Sequence, residues 1–391
     1  MQHLRIRPFP LQKRFAFSLV DDTDDATLEK VKRSYTFLDE LGFKITKTVW
    51  AFPSKRKSGD ATTGRWCEAV TLADPNYLSL IKDIKARGHE IALHTASGGN
   101  NLREETIMAY EFFKREFGSY PVMNIMHGRN IDNLYYGKEA FRGVLRFLIG
   151  IYSADACEGH SPQSPFFWGD IFAAHSRYAR LYKTTTLNTL RINPSMPYYH
   201  PAKPFVPRWF SLTDLREHQM IKRNLTLSAI ERLLHEEGAC IGYTYTHGYF
   251  DDTLKIDPVI EERFKLLSGY KTHAWFTPAS CLLDRLEAVR NTRIKNHYGQ
   301  KFIFNYNVQP VRDIWICGPS GTRVNLENGK QIAIGPSGTV HCDEIPPSVD
   351  ANESSRCQGL RFGEELRMIL HTAYLLMLQY AMGRPFRRRG F

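Results

Sequence analysis

Four stretches of this chain share one pattern: a short apolar run rich in β-formers that stops at an aspartate or a histidine. Residues 15–20 stop at Asp21 and Asp22, Glu90–Leu93 at His94, 122–126 at His127, and 239–245 run out at His247. Amphipathic helices fall between such runs. Leu28, Val31, Tyr35, Leu38 and Leu41 form one apolar stripe closed by Gly42, and Asp74-Pro75 opens a second helix with an N-cap and a proline at its first position. Arg103–Phe117 forms a third, closed by Gly118. Strands alternating with helices predict a parallel sheet with helical crossovers. The 391 residues suffice to close that sheet into a barrel and add an appendage. No glycine-rich phosphate loop follows the first strand, which counts against an open nucleotide-binding sheet. In a (β/α) barrel the carboxyl ends of the strands gather at one face, so residues as distant as Asp21 and His247 would share a cleft.

These residue types permit a specific chemistry. Carboxylate and imidazole are good zinc ligands, and a catalytic zinc site uses three protein ligands and one open position. The ion acidifies water and polarises a carbonyl. A remaining carboxylate can then act as general base and a further imidazole as general acid. Neighbours leaving a strand point opposite ways, so Asp21 and Asp22 can divide such roles. Asp24 and Asp25 read as charges at a helix N-terminus. His89, at a strand start on the opposite rim, reads as structural.

Phe17-Ser18-Leu19-Val20-Asp21-Asp22 resembles the T-F-D-D-G strand end of the polysaccharide deacetylases, the family of chitin and Nod-factor deacetylases. Gly88-His89-Glu90-Ile91-Ala92-Leu93-His94-Thr95 is similar to that family's G-H-E-I-x-x-H-[ST] segment. Tyr243-Thr244-Tyr245-Thr246-His247-Gly248 resembles its late strand ending in histidine, and Trp275-Phe276-Thr277-Pro278-Ala279-Ser280 its last strand and turn. By order of elements the resemblance runs over roughly residues 12–290. It implies an irregular (β/α) barrel of the polysaccharide-deacetylase type. It also implies a metal-dependent hydrolase that removes an N-acyl group, N-acetyl above all, from a carbohydrate. By resemblance Asp21 is the general base, Asp22 and His94 are metal ligands, and His247 is the general acid. Two positions depart from the pattern. The family's second ligand histidine falls at Gly98, and its Arg-Pro motif is replaced by Met126-His127-Gly128-Arg129-Asn130. The expectation is that His127 supplies the missing imidazole from the next strand end, and that the ion is zinc. A non-catalytic carbohydrate-binding barrel without metal, or a hydrolase of another amide or ester, are the competing readings.

The barrel is expected over 1–292, a small β-rich appendage over 293–345, and a linker with a terminal helix and basic tail over 346–391. Residues 149–223 read as two or more barrel units with long loops. Trp168, Asp170, Asn193, Tyr198 and Trp209 in that region are candidates for binding a sugar, core packing being the competing reading. The net charge of +11 suits an anionic glycan, a membrane surface or nucleic acid. No RNA-reading or zinc-finger spacing accompanies it, so nucleic acid is not an expected partner. Seven scattered cysteines without a C-x-x-C pair argue against a disulfide framework. The N-terminus lacks the apolar core of a secretion signal, and a cytoplasmic protein is expected. The terminal helix is expected to pack on the barrel or against a second copy in a homo-oligomer. Its arginines, Arg384 and Arg387 to Arg389, leave a membrane-surface contact open.

Overall fold

The computed structural model describes residues 3–59, 64–144, 146–147, 156–216, 218–297, 299–349 and 359–381. After a two-residue strand, β1 (Arg5–Ile6), the chain forms β2 (Phe15–Asp21), β3 (Thr46–Val49), β4 (Glu90–Leu93), β5 (Tyr178–Thr184), β6 (Arg208–Asp214), β7 (Ala239–Thr244) and β8 (Ala274–Phe276). The last seven pair in parallel, in the order β4-β3-β2-β7-β6-β5, with β8 also beside β2.

The sheet curls until its two edges meet. Leu93 of β4 bridges Asn124, and Met123 bridges Tyr178 of β5, both in parallel. The segment 122–126 is thus the closing stave. Its Ile125 N–H donates to the Leu93 carbonyl at 2.9 Å, and its Asn124 N–H to the Tyr178 carbonyl at 3.3 Å. The architecture is an irregular parallel (β/α) barrel, as the strand–helix alternation predicts. Side chains alternate as pleated strands require. Ala16, Val20, Ala92, Ile125, Phe210, Leu212, Ile241 and Tyr243 fall in one buried cluster. Phe15, Phe17, Leu19, Leu93 and Cys240 fall in another, with Val31, Tyr35, Ile81 and Ile84 from the helices.

The region 149–223 does hold two barrel strands, β5 and β6, with short helices at Gly169–His175, Thr189–Ile192 and His218–Asn224. Beyond the barrel, β9 (Thr292–His297), β10 (Gln300–Asn305), β11 (Val311–Cys317), β12 (Arg323–Leu326), β13 (Gln331–Ala333) and β14 (Thr339–Ile345) form two small sheets. Ile303, Ile314, Ile316, Val324 and Ile332 lie in one apolar cluster among them. The N-terminus joins this unit, since Arg5 and Ile6 of β1 pair with Cys317 and Ile316 of β11. The last helix, Phe362–Ala381, packs on β5: Met368 is buried, and the Thr372 hydroxyl donates to the Lys183 carbonyl at 3.2 Å. The arginines of the tail lie outside the described residues. Among the described residues no helix is long and apolar enough to cross a membrane.

Candidate metal centre and active site

The carboxyl ends of β2, β3, β4, the closing stave and β7 converge, and the polar residues there fall into three groups. The first centres on Asp21, the last residue of β2. It is fully buried and surrounded by donors. Lys47 Nζ lies at 3.0 Å, the Tyr35 hydroxyl donates at 3.2 Å, and the Thr246 N–H and hydroxyl donate at 2.7 and 2.9 Å. Lys47 is equally buried, which works against its charge, yet the Asp21 carboxylate holds its pKa above the usual lysine value. These donors tie the carboxylate to β3, to the helix that carries Tyr35 and to the turn after β7.

The second group is Asp24, His94 and His127, whose ligand atoms all lie within 4.8 Å of one another. His94 Nδ1–H donates to the Ile125 carbonyl at 2.9 Å, turning Nε2 toward Asp24 Oδ1 at 3.0 Å. His127 Nδ1–H donates to Asn130 Oδ1 at 3.1 Å, and Asn130 is oriented by its own amide donating to the Gly99 carbonyl. His127 Nε2 faces Asp24 Oδ2 at 3.4 Å and is buried without a hydrogen-bond partner. In neutral rings with these Nδ1–H tethers, both Nε2 atoms carry lone pairs aimed at a carboxylate, an arrangement that a cation between them would satisfy. Burial opposes charge on His127, but the Asp24 carboxylate prevails and raises its pKa to about 10. Burial likewise opposes charge on Asp24, yet the two imidazoles hold it well below the ordinary range. The Tyr245 hydroxyl donates to Asp24 at 3.2 Å and is within 2.8 Å of the Tyr243 hydroxyl.

Asp24 is the residue that sequence reasoning missed. It was expected to serve the following helix, but Thr27 caps that helix, its hydroxyl accepting from the Lys30 N–H. With Thr27 in that position, Asp24 was free for other work. Asp22, expected as the carboxylate ligand, lies 3.7 Å from His94 Nε2 and pairs instead with Arg180 Nη2 at 2.7 Å. Asp22 Oδ1 is buried without a hydrogen-bond partner.

The third group lies around Tyr243. Arg180 of β5 and Arg216, just beyond β6, place their guanidinium carbons 4.3 and 5.0 Å from its ring centre, with Lys183 Nζ at 4.9 Å. Arg216 forks onto Asp214 at 3.0 and 2.7 Å. Asp214 is buried, but the guanidinium lowers its pKa to about 2. Burial, with Arg216 nearby, pushes Lys183 down to about 7.

His247 stands on a single turn, Thr246–Tyr249, with its ring centre 5.8 Å from that of Tyr245 and its Nδ1 buried without a hydrogen-bond partner. Burial lowers its pKa. Gly98 has a different reason than expected. A Cβ there would lie 2.5 Å from Trp50 Cη2 and 2.9 Å from Cys67 Cβ. Trp50 fills the space and lies parallel to His94, ring centres 6.1 Å apart, and perpendicular to His127, ring centres 5.4 Å apart.

Four of the five candidate sugar contacts need correction. Trp168, Asn193, Tyr198 and Trp209 are each 0–1% exposed, so no face remains for a sugar. Trp168 Nε1–H donates to the Asp132 carbonyl, and Asn193 donates to Ser211 Oγ at 3.0 Å. Tyr198 and Trp209 bridge one another through their backbones. Asp170 is half-exposed on the helix Gly169–His175, where Arg103 forks onto it with two bonds of 2.7 Å. Their aromatic and amide character serves packing.

No family model matches the sequence, and no curated protein matches it. Among solved structures the chain is similar to the allantoinase PuuE, at 13% identity over 72% of this chain and 93% of that one, with a TM-score of 0.38. It is similar to a probable polysaccharide deacetylase from Pseudomonas aeruginosa, at 13% identity over 71% and 93%, TM-score 0.39. It is also similar to the catalytic domain of a peptidoglycan N-acetylglucosamine deacetylase from Eubacterium rectale, at 14% identity over 68% and 89%, TM-score 0.35.

Proposed function

We propose that this chain is a divergent polysaccharide-deacetylase-type hydrolase that uses a divalent metal, zinc by the chemistry of the ligands, to cleave an N-acyl group from a carbohydrate. The observation that carries the reading is the convergence of Asp24, His94 and His127, with each imidazole tethered through Nδ1 and its Nε2 turned toward Asp24. One carboxylate and two imidazoles make a three-ligand set that leaves a position open. A divalent ion held there supplies Lewis acidity, polarising an acyl oxygen and acidifying water. The carbohydrate rests on the resemblance of residues 88–95 and 243–248 to the family's segments.

The chain's own residues divide the remaining work. Asp22 takes the proton from the attacking water. It is the carboxylate nearest the imidazoles with a free oxygen, and Arg180 fixes its orientation. Asp21 anchors β2 to Lys47 and to the β7 turn, which transfers the general-base role assigned to it by resemblance onto Asp22. His247 keeps the role that the resemblance gives it, delivery of a proton to the leaving nitrogen; its Nδ1 is buried without a hydrogen-bond partner.

The test is zinc content and acetate release from N-acetylglucosamine oligomers, measured on the wild type and on Asp22→Asn. The wild type should bind one zinc and release acetate. Asp22→Asn should keep the zinc and lose about 10²–10⁴ in turnover. A wild type that binds zinc at millimolar concentration nowhere near Asp24, or an Asp22→Asn enzyme of full activity, would sink these assignments.

A further inference from the structure

A regular strand points residues three apart to opposite faces. Arg180 and Lys183 of β5 are three apart, yet both stand over the ring of Tyr243. The cause is a register shift: Arg180 pairs with Phe210 and Tyr182 with Ser211, so Leu181 is an extra residue. Such bulges re-aim side chains and recur beside active sites. Here the bulge brings a second cation to the face of Arg180, where Arg216 supplies a third.

The charges around Tyr243 do not balance. Arg180 is paired with Asp22 and Arg216 with Asp214. Lys183 has no ion pair among the described residues, and Arg180 Nη1 is buried without a hydrogen-bond partner. Asp214 and Asp22 offset the Lys183 charge only from beyond ion-pair distance, while burial, Arg216 and Arg180 oppose it. Arg180 and Lys183 also line a cavity of about 50 Å³ with Tyr135, Phe141, Tyr182 and Thr372. That space holds roughly three to five water-sized groups, the size of a carboxylate or phosphate rather than a sugar ring.

We propose that Arg180 and Lys183, which line this cavity, form a subsite for an anionic substituent, a carboxylate or a phosphate ester, carried by the acylated sugar, with Arg216 adding its charge from the ring of Tyr243. The inference rests on the hydrolase reading and narrows its substrate to acidic or phosphorylated sugars. Arg180 then links the two sites: one nitrogen holds Asp22, and the other, Nη1, is free to meet the anion. The anion would offset the Lys183 charge, and Arg180 Nη1 would supply a directional donor.

The experiment is a calorimetric titration of the full-length protein with inorganic phosphate, with D-glucuronate and with neutral N-acetyl-D-glucosamine. At least one anion should bind more tightly than the neutral sugar by about tenfold or more. Phosphate binding tighter than glucuronate identifies a phosphate ester, and the reverse a uronic acid. Lys183→Met should lose about tenfold of the anion affinity, while Lys183→Arg, which keeps the charge, should retain most of it. Failure of the wild type to prefer an anion overturns the proposal whether or not Lys183→Met folds, and so does equal anion affinity in a folded Lys183→Met. Zinc measured on the same samples separates the two readings. Zinc without anion binding removes only the subsite, and anion binding without zinc removes only the hydrolase.

Discussion

Asn130 Oδ1 accepts the Nδ1–H of His127 at 3.1 Å, and that one bond decides which nitrogen of the ring meets Asp24. Asn130 in turn is locked by its amide donating to the Gly99 carbonyl. It touches neither Asp24 nor the Nε2 atoms of His94 and His127, so its role is orientation. Partners of this kind are worth about 10–100-fold in metal affinity. Asn130→Ala should therefore bind zinc more weakly by about that factor, measured by competition with a chromogenic chelator, while its circular dichroism stays that of the wild type. Unchanged zinc affinity would show that His127 is not a ligand or needs no tether.

The His127–Asp24 pair also sets a proton balance. His127 has its pKa raised to about 10, so the metal-free protein carries that proton at neutral pH. A zinc ligand must be neutral imidazole, so binding has to displace it. Calorimetry at pH 7 in buffers of different ionisation enthalpy should report release of about one proton per zinc, and apparent affinity should climb with pH until about 10. The same shift has a consequence for the metal-free fold. Because the folded pKa lies above the unfolded one, the pair stabilises fully below the ordinary histidine value, and the contribution is lost as pH rises toward 10. Zinc uptake with no proton release would place the ion elsewhere.

The barrel was legible because its strands are nearly continuous apolar runs with a polar residue at the end of each, a pattern that survives without any knowledge of neighbours. The element that closes it was less so. Residues 122–126 carry Asn124 in mid-run, and they form two isolated bridges rather than a full ladder. Asp24 was hidden by its place before a helix, where aspartate is usually structural. The Thr27 cap, visible in the sequence as Thr27-Leu28-Glu29-Lys30, was the signal that could have released it. The cationic group at Tyr243 could not be read at all. It depends on a one-residue bulge, and a bulge reverses the face of every residue after it. The aromatic residues between 168 and 209 were misread for the opposite reason: composition says nothing about which side of a sheet an indole faces.

Asp21 and Asp22 are adjacent and chemically identical, but their surroundings predict different failures. Asp21 and Lys47 form a pair with no exposure on either side chain. Asp21→Asn leaves the lysine charge buried without its counter-charge, a loss of about 3–5 kcal/mol. The expected result is a large fall in melting temperature and activity lost through unfolding. It should be checked by thermal denaturation beside Asp22→Asn, which should fall less, because its partner Arg180 keeps 13% exposure where Lys47 keeps none. If Asp21→Asn melts normally yet turns nothing over, Asp21 is the base and Asp22 is not.

Gly98 gives the last prediction, because it marks where this chain parts from the family it resembles. The resemblance places a second histidine ligand at this position. Restoring it by Gly98→His alone should not build a better metal site. A Cβ there would stand 2.5 Å from Trp50 Cη2 and 2.9 Å from Cys67 Cβ, and an imidazole would need still more room. Trp50 cannot retreat easily, since it is buried, parallel to His94 and edge-to-ring with His127. Overpacking of this kind is unfavourable by about 1–3 kcal/mol. Gly98→His should therefore lower the melting temperature and leave zinc affinity equal or weaker. Trp50→Ala alone should also destabilise, by leaving a void of indole size, in the range of about 3–5 kcal/mol. The double variant should be less destabilised than the sum of the two, because the imidazole then enters the space that the indole left, and contacting residues are where additivity fails. The measurement is a double-mutant cycle by thermal or urea denaturation, with zinc affinity read on all four proteins. Additive losses would mean that Trp50 does not occupy the place of the missing ligand. A gain in zinc affinity from Gly98→His alone would mean that the indole yields, and that the ligand set is not confined to Asp24, His94 and His127.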